Sequence, residues 1–336
     1  MKLLITGATG YLGGVIVREA VRKGYDIRVM VRDVDGNHNL PDKTEICQGD
    51  LLDIKSLLKA LEGCEAAIHS AGLVSIWRKN PFDFYQINVL GTENLLRAAR
   101  EKKVSRVVYT SSFFALGPTN ATPADETWNN PIEFYPTDYA RSKADADRKV
   151  REFARNGFDV VLVYPVLIYG PGKSTQGNHI TKMIDDYARR RIPGIPGNGE
   201  KQWTFSYVDD VAQGHLAALE KGKKGERYIL GGEDATLLDL FEMLESLTGV
   251  KRPRRKIPFT VAKAFAWVEE LRAKMSQQYV PKITRAVVEV YKHHWRYSSY
   301  KAITELGYTR TPLKMGLLKT LESLGYAPRE PQNTLL

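Results

Sequence analysis

A tyrosine and a lysine lie four positions apart in the segment DYARSKADADRKV, residues 138–150. On a helix, residues at positions i and i+4 lie on one face, so Tyr139 and Lys143 can point in the same direction. A free tyrosine has a pKa of about 10, and a nearby ammonium group favours its phenolate form. The pair therefore predicts a phenol that exchanges a proton with an oxygen of a bound ligand.

A hydroxyl that polarises the same oxygen is expected from YTSSFFALG, residues 109–117, where an apolar run ends. If the strand pleat continues, Thr110 and Ser112 share one side and Ser111 takes the other. Ser112 is then the predicted hydrogen-bond donor to the ligand. A YxxxK spacing alone is common in surface helices, so the prediction depends on the neighbouring elements.

The strongest of these elements is a glycine loop in ITGATGYLGG, residues 5–14, with the spacing GxxGxxG rather than GxGxxG. Gly7, Gly10 and Gly13 would follow a strand and open a helix, where glycines permit a tight turn and a helix N-terminus offers free amides to a pyrophosphate. The loop predicts a dinucleotide cradle. A glycine-rich turn without a ligand is the alternative.

The first 165 residues alternate short β-branched runs with longer segments of helical period, which predicts parallel strands joined by crossover helices. The strand candidates are KLLIT, IRVMV, TEICQ, AAIHS, RVVYTS and VVLVYP, and the helix candidates begin near Tyr11, Asp53, Pro81 and Tyr139. Asp53 is the predicted N-cap of its helix, and Gly63 ends it. The pattern predicts an α/β fold with a Rossmann doubly wound parallel sheet, whose ligands bind beyond the carboxyl ends of the strands.

The chain changes character after Pro165, where YGPGKSTQGN and RIPGIPGNGEKQW are rich in Gly, Pro and Asn. We therefore predict a dinucleotide-binding domain at 1–165 and a smaller, mainly helical substrate-binding region at 166–336. Residues 205–231 are expected to return to the first domain as one more helix and strand.

The end of the second strand should select the dinucleotide, because an acidic residue there holds a ribose 2′-OH and repels a 2′-phosphate. Arg32 lies nineteen positions after Gly13 and favours NADP, unless it stacks on adenine instead. Asp50, after the third strand, is either an acceptor for the adenine amino group or a helix cap. NADP is slightly favoured over NAD.

Composition indicates an ordinary globular chain: of 336 residues, 43% are hydrophobic and 26% are charged. The formal net charge is +10, but the basic residues are scattered apart from KRPRRK at 251–256, which predicts a solvated loop or a phosphate or lipid contact. We expect no nucleic acid as partner. No apolar run resembles a signal peptide or a transmembrane segment, so we expect a cytoplasmic protein.

Metal and disulfide sites have little support in the sequence. Cys47 and Cys64 show no CxxC pairing, and His38, His69, His179 and His215 are isolated. The adjacent residues His293 and His294 would face different ways. We predict no metal site and histidines that pack in the core or lie at the surface.

These motifs together resemble the extended short-chain dehydrogenase/reductases, a superfamily that includes dihydroflavonol reductases, NDP-sugar epimerases and steroid dehydrogenases. TGATGYLG, GDL, HSAG, INVLGT, YTSSFFALG, YARSK, YPVLIYGPGK and FSYVDDVAQGH occur in that superfamily's order over nearly the whole chain. The sequences of these motifs are most similar to those of plant-type farnesol dehydrogenases and of hopanoid-associated sugar epimerase-like and dihydroflavonol-reductase-like proteins. Those farnesol enzymes carry an arginine at the Arg32 position yet favour NAD, which leaves the choice of cofactor nearly even.

The resemblance implies an NAD(P)-dependent enzyme acting on CH–OH groups, with Ser112, Tyr139 and Lys143 as catalytic triad and Asn88 as their support. Lys143 would also donate to the nicotinamide ribose. The family suggests a homodimer through the Tyr139 helix. The full predicted cofactor-binding set is Gly7, Thr9, Gly10, Tyr11, Leu12, Gly13, Arg32, Asp50, Leu51, Ser70, Ala71, Gly72, Thr110, Tyr139, Lys143, Tyr164, Pro165 and Val166.

The substrate space is expected to be apolar, which favours a hydrophobic alcohol or carbonyl compound such as an isoprenoid alcohol or a dihydroflavonol-like molecule. The residues concerned are Ile76, Trp77, Phe113, Phe114, Phe134, Tyr135 and Trp203. The main alternative is an NDP-sugar epimerase that retains NAD, although VYPV replaces the RYFN-like wording of epimerases. A non-catalytic dinucleotide sensor is the third hypothesis.

Overall fold

A seven-stranded, all-parallel sheet forms the centre of the fold, in the order β10-β6-β5-β4-β1-β2-β3. The computed structural model describes residues 1–36, 38–128, 130, 134–172, 178–276 and 278–327. The strands are β1 Lys2–Thr6, β2 Asp26–Val31, β3 Thr44–Gln48, β4 Ala66–His69, β5 Arg106–Thr110, β6 Val160–Pro165, β7 Leu167–Tyr169, β8 Ile195–Pro196, β9 Gln202–Tyr207, β10 Arg227–Leu230, β11 Glu233–Thr236 and β12 Lys256–Ile257.

Helices cover both faces of this sheet. They are α1 Tyr11–Arg22, α2 Ile54–Ala60, α3 Phe82–Tyr85, α4 Gly91–Glu101, α5 Phe113–Leu116, α6 Asp138–Arg155, α7 His179–Ala188, α8 Val208–Lys221, α9 Leu237–Thr248, α10 Phe259–Met275, α11 Arg285–Val290 and α12 Leu313–Ser323, with π-helical segments at Gln86–Leu90 and Ala302–Leu306. One core lies under α2, α4 and α6, and a second lies under α1 and α8. The predicted Rossmann fold is confirmed.

The central strands are almost continuously apolar because helices bury both of their faces. All four residues of β4 and all six of β6 are buried. The chain runs from β1 outward to β3 and then returns to place β4 on the other side of β1. A crevice therefore opens beyond the carboxyl ends of β1 and β4, where doubly wound sheets bind their ligands.

The six predicted strands are present with ends shifted by at most one residue. Asp53 is the N-cap of α2 and accepts from the Lys55 amide, as the sequence predicts. The helix of the Tyr–Lys pair begins at Asp138, and the Thr137 side chain caps it by accepting from the Ala140 amide. The capped first turn of this helix therefore fixes the positions of Tyr139 and Lys143.

Two smaller sheets were not predicted. Strands β11, β9 and β7 form one sheet, and β12 and β8 form the other. The segment WTFSY belongs to β9 in the three-stranded sheet, whereas β10 joins the main sheet and α8 packs against α1. The division into 1–165 and 166–336 remains a prediction, and residues 173–177 and 328–336 of the second region lie outside those described.

The helices in the described part of the chain are too short or too polar for any of them to cross a lipid bilayer.

His215 connects α8 to β5 and should make the fold sensitive to acid. Its Nδ1 donates to the Val211 carbonyl at 2.7 Å, so in the neutral ring Nε2 accepts from Thr110 Oγ1 at 2.9 Å. Burial lowers the pKa of His215 from the usual 6.5 to about 4. Between these values the unfolded chain binds a proton that the folded chain does not bind, so the free energy of unfolding falls as the pH falls.

We predict that His215→Gln reduces the slope of unfolding free energy against pH between 6.5 and 4 by up to about 1.4 kcal/mol per pH unit. Urea unfolding across a pH series measures the slope. At alkaline pH the His215 ring is neutral in both the folded and the unfolded chain. The same series there isolates the free-energy cost of the lost hydrogen bonds. An unchanged slope would contradict the assignment.

Candidate active site

The glycine loop between β1 and α1 passes very close to other backbone segments. Gly7 has a φ of 76°, and a Cβ there would lie 2.6 Å from the Ala71 amide nitrogen. A Cβ on Gly13 would lie 2.0 Å from the Gly7 carbonyl oxygen. Gly10 is the N-cap of α1 and provides no side-chain cap, so the first amides of α1 can bind an anion. The loop therefore fits a pyrophosphate.

The other residues of the loop face outward or towards β7. Thr9 is exposed and Leu12 is half-buried. The Tyr11 ring lies against the segment that follows β7, because a Cβ on Gly172 would be 2.9 Å from that ring. Tyr11 thus joins the glycine loop to the start of the loop at 170–172.

Arg32 is exposed at the end of β2, and its guanidinium makes no ion pair or hydrogen bond with the described residues. The neighbouring carboxylate of Asp33 accepts from the Asp35 amide. Asp50 Oδ1 accepts from the Leu52 amide at 2.8 Å, so this carboxylate shapes the turn before α2 while Asp53 caps the helix.

Leu51 is 8% exposed and packs against Gly91, whose Cβ would lie 2.8 Å from the Leu51 Cβ. Its side chain therefore belongs to the wall between α2 and α4. Contact of Leu51 with a cofactor remains a prediction.

The segment after β4 forms the second wall of the cradle. Ser70 Oγ donates to the Thr6 carbonyl at 2.8 Å, and this bond holds the segment against the end of β1. Ala71 lies directly against Gly7, and a Cβ on Gly72 would lie 3.2 Å from Asn88 Oδ1. The sequence motif HSAG therefore packs against the glycine loop, and its contact with a cofactor remains a prediction.

Asn88 is buried in the π-helical segment Gln86–Leu90 and connects this wall to α6. Its side chain accepts from the Leu73 amide at 2.7 Å and donates to the Leu73 carbonyl at 3.1 Å and to Ser142 Oγ at 2.9 Å. Asn88 therefore positions α6 relative to the crevice.

Ser112 and Tyr139 lie close together at the crevice. Ser112 is the N-cap of α5 and accepts from the Phe114 amide at 3.3 Å. Burial raises the pKa of Tyr139 to about 12, and a hydrogen bond with Ser112 acts in the opposite direction. In this state the phenol holds its proton.

Lys143 has its hydrogen-bond partner at the end of β5, and its predicted action on Tyr139 remains a prediction. Its Nζ donates to the Thr110 carbonyl at 2.6 Å and lies 4.7 Å from the centre of the Tyr109 ring. Burial lowers the pKa of Lys143 to about 7, and the charge of Asp147 partly opposes this shift. Loss of hydration outweighs mutual stabilisation, so the two proton affinities move in the directions opposite to those expected for an ammonium–phenolate pair.

The predicted pleat of the β5 end is wrong. The Thr110 hydroxyl bonds to His215 on α8, whereas the hydroxyl of Ser111 donates to Asp147 on α6. Strand β5 ends at Thr110, and the chain turns into α5, so the alternation does not extend to Ser112. Thr110 contributes its carbonyl, rather than its hydroxyl, to the site.

Asp147 is a buried carboxylate that the sequence analysis did not single out. It accepts from Ser111 Oγ at 2.9 Å and from the Tyr164 phenol at 2.6 Å, and it pairs with Arg151 at 3.0 Å. The i+4 spacing from Lys143 was the available signal. The Tyr164 phenol therefore points to α6, and a contact of Tyr164 with the nicotinamide end remains a prediction.

The positions after Tyr164 are buried as well. Val166 is 3% exposed, and its amide donates to the Leu230 carbonyl. A contact of Pro165 and Val166 with the nicotinamide end remains a prediction.

Aromatic rings surround the Tyr139 phenol. Its ring lies 6.0 Å from Phe114 and 6.4 Å from Phe84, and Phe114 lies 5.1 Å from Trp295. Phe84 and Trp295 were missed because no motif marks them. Trp203, which was predicted to line this space, is 4% exposed and donates to the His293 carbonyl, so it belongs to the core.

Within the described residues, no group of three or more histidine, cysteine or acidic side chains could hold a metal ion. The buried His69 has Thr6 Oγ1 at 2.7 Å and Thr92 Oγ1 at 3.0 Å from its two ring nitrogens, and burial lowers its pKa to about 3. It packs as a neutral side chain.

A family model described as "NAD dependent epimerase/dehydratase family" matches residues 3–231. The chain belongs to this family. It is 34% identical over 322 residues to a Synechocystis relative, covering 93% of this chain and 91% of the relative. It is also 34% identical over 317 residues to Sterol demethylase protein B of Methylococcus capsulatus, covering 93% of this chain and 94% of the relative. It is 30% identical to the 4-hydroxy-2-methyl-3-oxo-4-farnesyl-3,4-dihydroquinoline-1-oxide ketoreductase of Stigmatella aurantiaca, covering 92% of each chain.

Solved structures agree with this family. The crystal structure of gox2253 has a TM-score of 0.82 and 34% identity, covering 96% of this chain and 97% of that one. A UDP-glucose 4-epimerase of Thermotoga maritima has a TM-score of 0.76 at 22% identity, covering 97% and 99%, and shows the shared fold. The chain is an NAD(P)-dependent oxidoreductase of the extended short-chain dehydrogenase/reductase type.

We predict that Gly13→Ala abolishes dinucleotide binding, because the new methyl group would collide with the Gly7 carbonyl and distort the cradle. Isothermal titration with NAD and NADP measures the affinity. Gly14→Ala is the matched control, since its Cβ would have 3.3 Å to the nearest backbone oxygen. Wild-type affinity in Gly13→Ala would contradict this position for the phosphates.

We predict that Asp147→Asn lowers the pKa of Lys143 further below about 7, because a buried negative charge is lost beside the amine. Titration of the Lys143 ε-methylene by NMR measures this pKa without any substrate. Asp145→Asn is the control on the same helix, because that carboxylate pairs outward with Arg148. Equal pKa values in the two variants would show that Asp147 does not act on the lysine.

Proposed function

We propose that this chain catalyses reversible hydride transfer between a nicotinamide cofactor and a hydrophobic secondary or allylic alcohol, or the corresponding carbonyl compound. The observation that carries the proposal is the Tyr139 phenol, which lies beside the Ser112 hydroxyl and among aromatic rings. When bound in the glycine cradle, the cofactor would supply or accept the hydride. The chain supplies the proton and the surroundings.

We assign to Tyr139 the exchange of a proton with the substrate oxygen. With a pKa of about 12, the phenol is protonated at neutral pH and suits donation to a carbonyl oxygen. Ser112 would hold the same oxygen by a second hydrogen bond. In the oxidising direction, Tyr139 must first lose its proton, which a positive charge entering the site would assist.

Lys143 and Asn88 complete the proposed site. With a pKa of about 7, Lys143 is near half-charged at neutral pH and can donate to a ribose hydroxyl if it leaves the Thr110 carbonyl. Asn88 would keep α6 in position through Ser142.

A hydrophobic substrate fits the surroundings better than a sugar nucleotide. Phe84 and Phe114 have ring centres 6.4 and 6.0 Å from that of Tyr139, and the buried Trp295 packs against Phe114. Desolvation of apolar surface against such side chains contributes roughly 25 cal/mol per Å². The names of two relatives, the sterol demethylase protein B and the farnesyl-dihydroquinoline-oxide ketoreductase, refer to a sterol and to a farnesyl-bearing ketone. These names support an isoprenoid-like class of substrate.

An NDP-sugar epimerase is the second candidate, supported by the fold shared with UDP-glucose 4-epimerases. Two basic residues that could otherwise hold a diphosphate are paired with acids: Arg189 with Asp185 at 2.9 Å, and Arg252 with Glu242 at 2.6 Å. This reduces the charge available to a diphosphate.

For the cofactor, the unpaired Arg32 supports NADP, with NAD as the close alternative. A homodimer through α6 and a cytoplasmic location are further proposals that rest on the family resemblance and the sequence.

We predict that Tyr139→Phe lowers turnover by about 10²- to 10⁴-fold while cofactor affinity is retained, because only the proton-transferring hydroxyl is removed. Tyr300→Phe, at an exposed tyrosine remote in sequence, is the control. Near-wild-type turnover in Tyr139→Phe would remove Tyr139 from the chemistry.

The substrate class is tested with aliphatic, isoprenoid, flavonoid and steroidal alcohols and ketones, each with NAD(H) and NADP(H). Absorbance of the reduced nicotinamide reports net hydride transfer. Net consumption of cofactor with an apolar compound supports the proposal. Interconversion of NDP-sugars with retained NAD and no net consumption would instead identify an epimerase.

A further inference from the structure

Helix α10 exposes large apolar side chains and buries its two acidic ones. Its exposed positions are mainly large and apolar, with Phe265 50% exposed, Trp267 53% and Met275 82%. The exposed apolar residues recur near the i, i+4, i+7 spacing that places them on one face. They are Val261, Phe265, Trp267, Val268, Leu271 and Met275. We call this surface the α10 face.

The two acidic residues of α10 point the other way and are buried. Glu269 accepts from the Tyr279 phenol at 2.7 Å and from the Lys282 amide at 2.9 Å. Glu270 accepts from the Arg285 amide at 2.7 Å and from its side chain at 2.9 Å. These hydrogen bonds satisfy both buried carboxylates and hold α10 in one orientation. The apolar side chains on its opposite side therefore face outward.

The same helix packs inward through small side chains. Ala262 and Ala266 form a small core with Val288 of α11. The helix therefore uses its alanines and acids to hold the fold, and its large apolar residues remain without a partner within the described chain.

The charges around the α10 face are positive. Arg272 and Lys274 are exposed near its C-terminal end, where α10 exposes no acidic side chain, and Arg272 also pairs with the buried Glu269 at 3.2 Å. The segment 251–256, KRPRRK, leads directly into α10 through β12 and Pro258. Among the residues described, no carboxylate pairs with Lys251, Arg254 or Arg255.

We propose that the α10 face and segment 251–256 dock this protein on an anionic lipid surface. Helices that lie in a membrane interface combine exposed large apolar residues with flanking basic residues, and their binding increases with apolar area and with anionic lipid. Two copies pairing through this face would bring like charges together, which disfavours that occupant. The inference does not depend on the proposed reaction.

The test is flotation of the full chain with two kinds of vesicle, one of phosphatidylcholine alone and one that also contains phosphatidylglycerol. We expect wild type to bind the second kind and to bind more weakly as salt rises. The double variant Phe265→Gln/Trp267→Gln should lose at least about tenfold in affinity because it removes inserted apolar surface. Arg254→Gln/Arg255→Gln should lose about tenfold or more on anionic vesicles, since each basic residue contributes about 1 kcal/mol.

The matched control is Tyr300→Gln/Met315→Gln, which removes two comparably exposed apolar side chains elsewhere and should bind vesicles like wild type. Circular dichroism checks that each variant is folded. Failure of wild type to float, or equal flotation of Phe265→Gln/Trp267→Gln, would overturn the proposal. A wild-type dimer in solution that becomes monomeric in Phe265→Gln/Trp267→Gln would also overturn it and assign the face to a second copy.

Discussion

The geometry of the site depends on one buried carboxylate. Asp147 accepts hydrogen bonds from Ser111 at the end of β5 and from Tyr164 on the adjacent strand β6, and it lies one helical turn beyond Lys143. A buried carboxylate is strongly destabilising unless charged and hydrogen-bonding partners surround it. This requirement holds α6 in a single register against the strand ends, and that register brings Tyr139 to Ser112.

Burial, rather than the pairing of Tyr139 with Lys143, sets the proton affinities of the site in this chain. Both groups lose hydration, so the pKa of the phenol rises to about 12 and that of the amine falls to about 7. The amine finds its partner in the Thr110 carbonyl. The Tyr139 phenol of the protein alone is therefore protonated at neutral pH.

Local patterns predicted the central sheet and the cradle, because buried parallel strands are continuous apolar runs and a glycine loop has a strict backbone requirement. The three-stranded sheet was not predictable in this way, since β7 and β9 are more than thirty residues apart and pair by long-range contacts. Asp147 lies in a charged helical segment whose pattern predicts solvent-exposed side chains. Trp295 reaches Phe114, which lies beside the Tyr139 ring, only through the tertiary fold.

The position of Trp295 in the chain separates two properties of the protein. The proposed acid–base groups lie between residues 112 and 143, whereas the buried Trp295 ring comes from a bridge that pairs Trp295 with Trp203 of β9 and packs against Phe114. Changes at residue 295 would therefore shift Phe114, the neighbour of the Tyr139 ring, without replacing any of the proposed proton-transfer groups. Divergent members of such a lineage could acquire new substrates while inheriting the same chemistry.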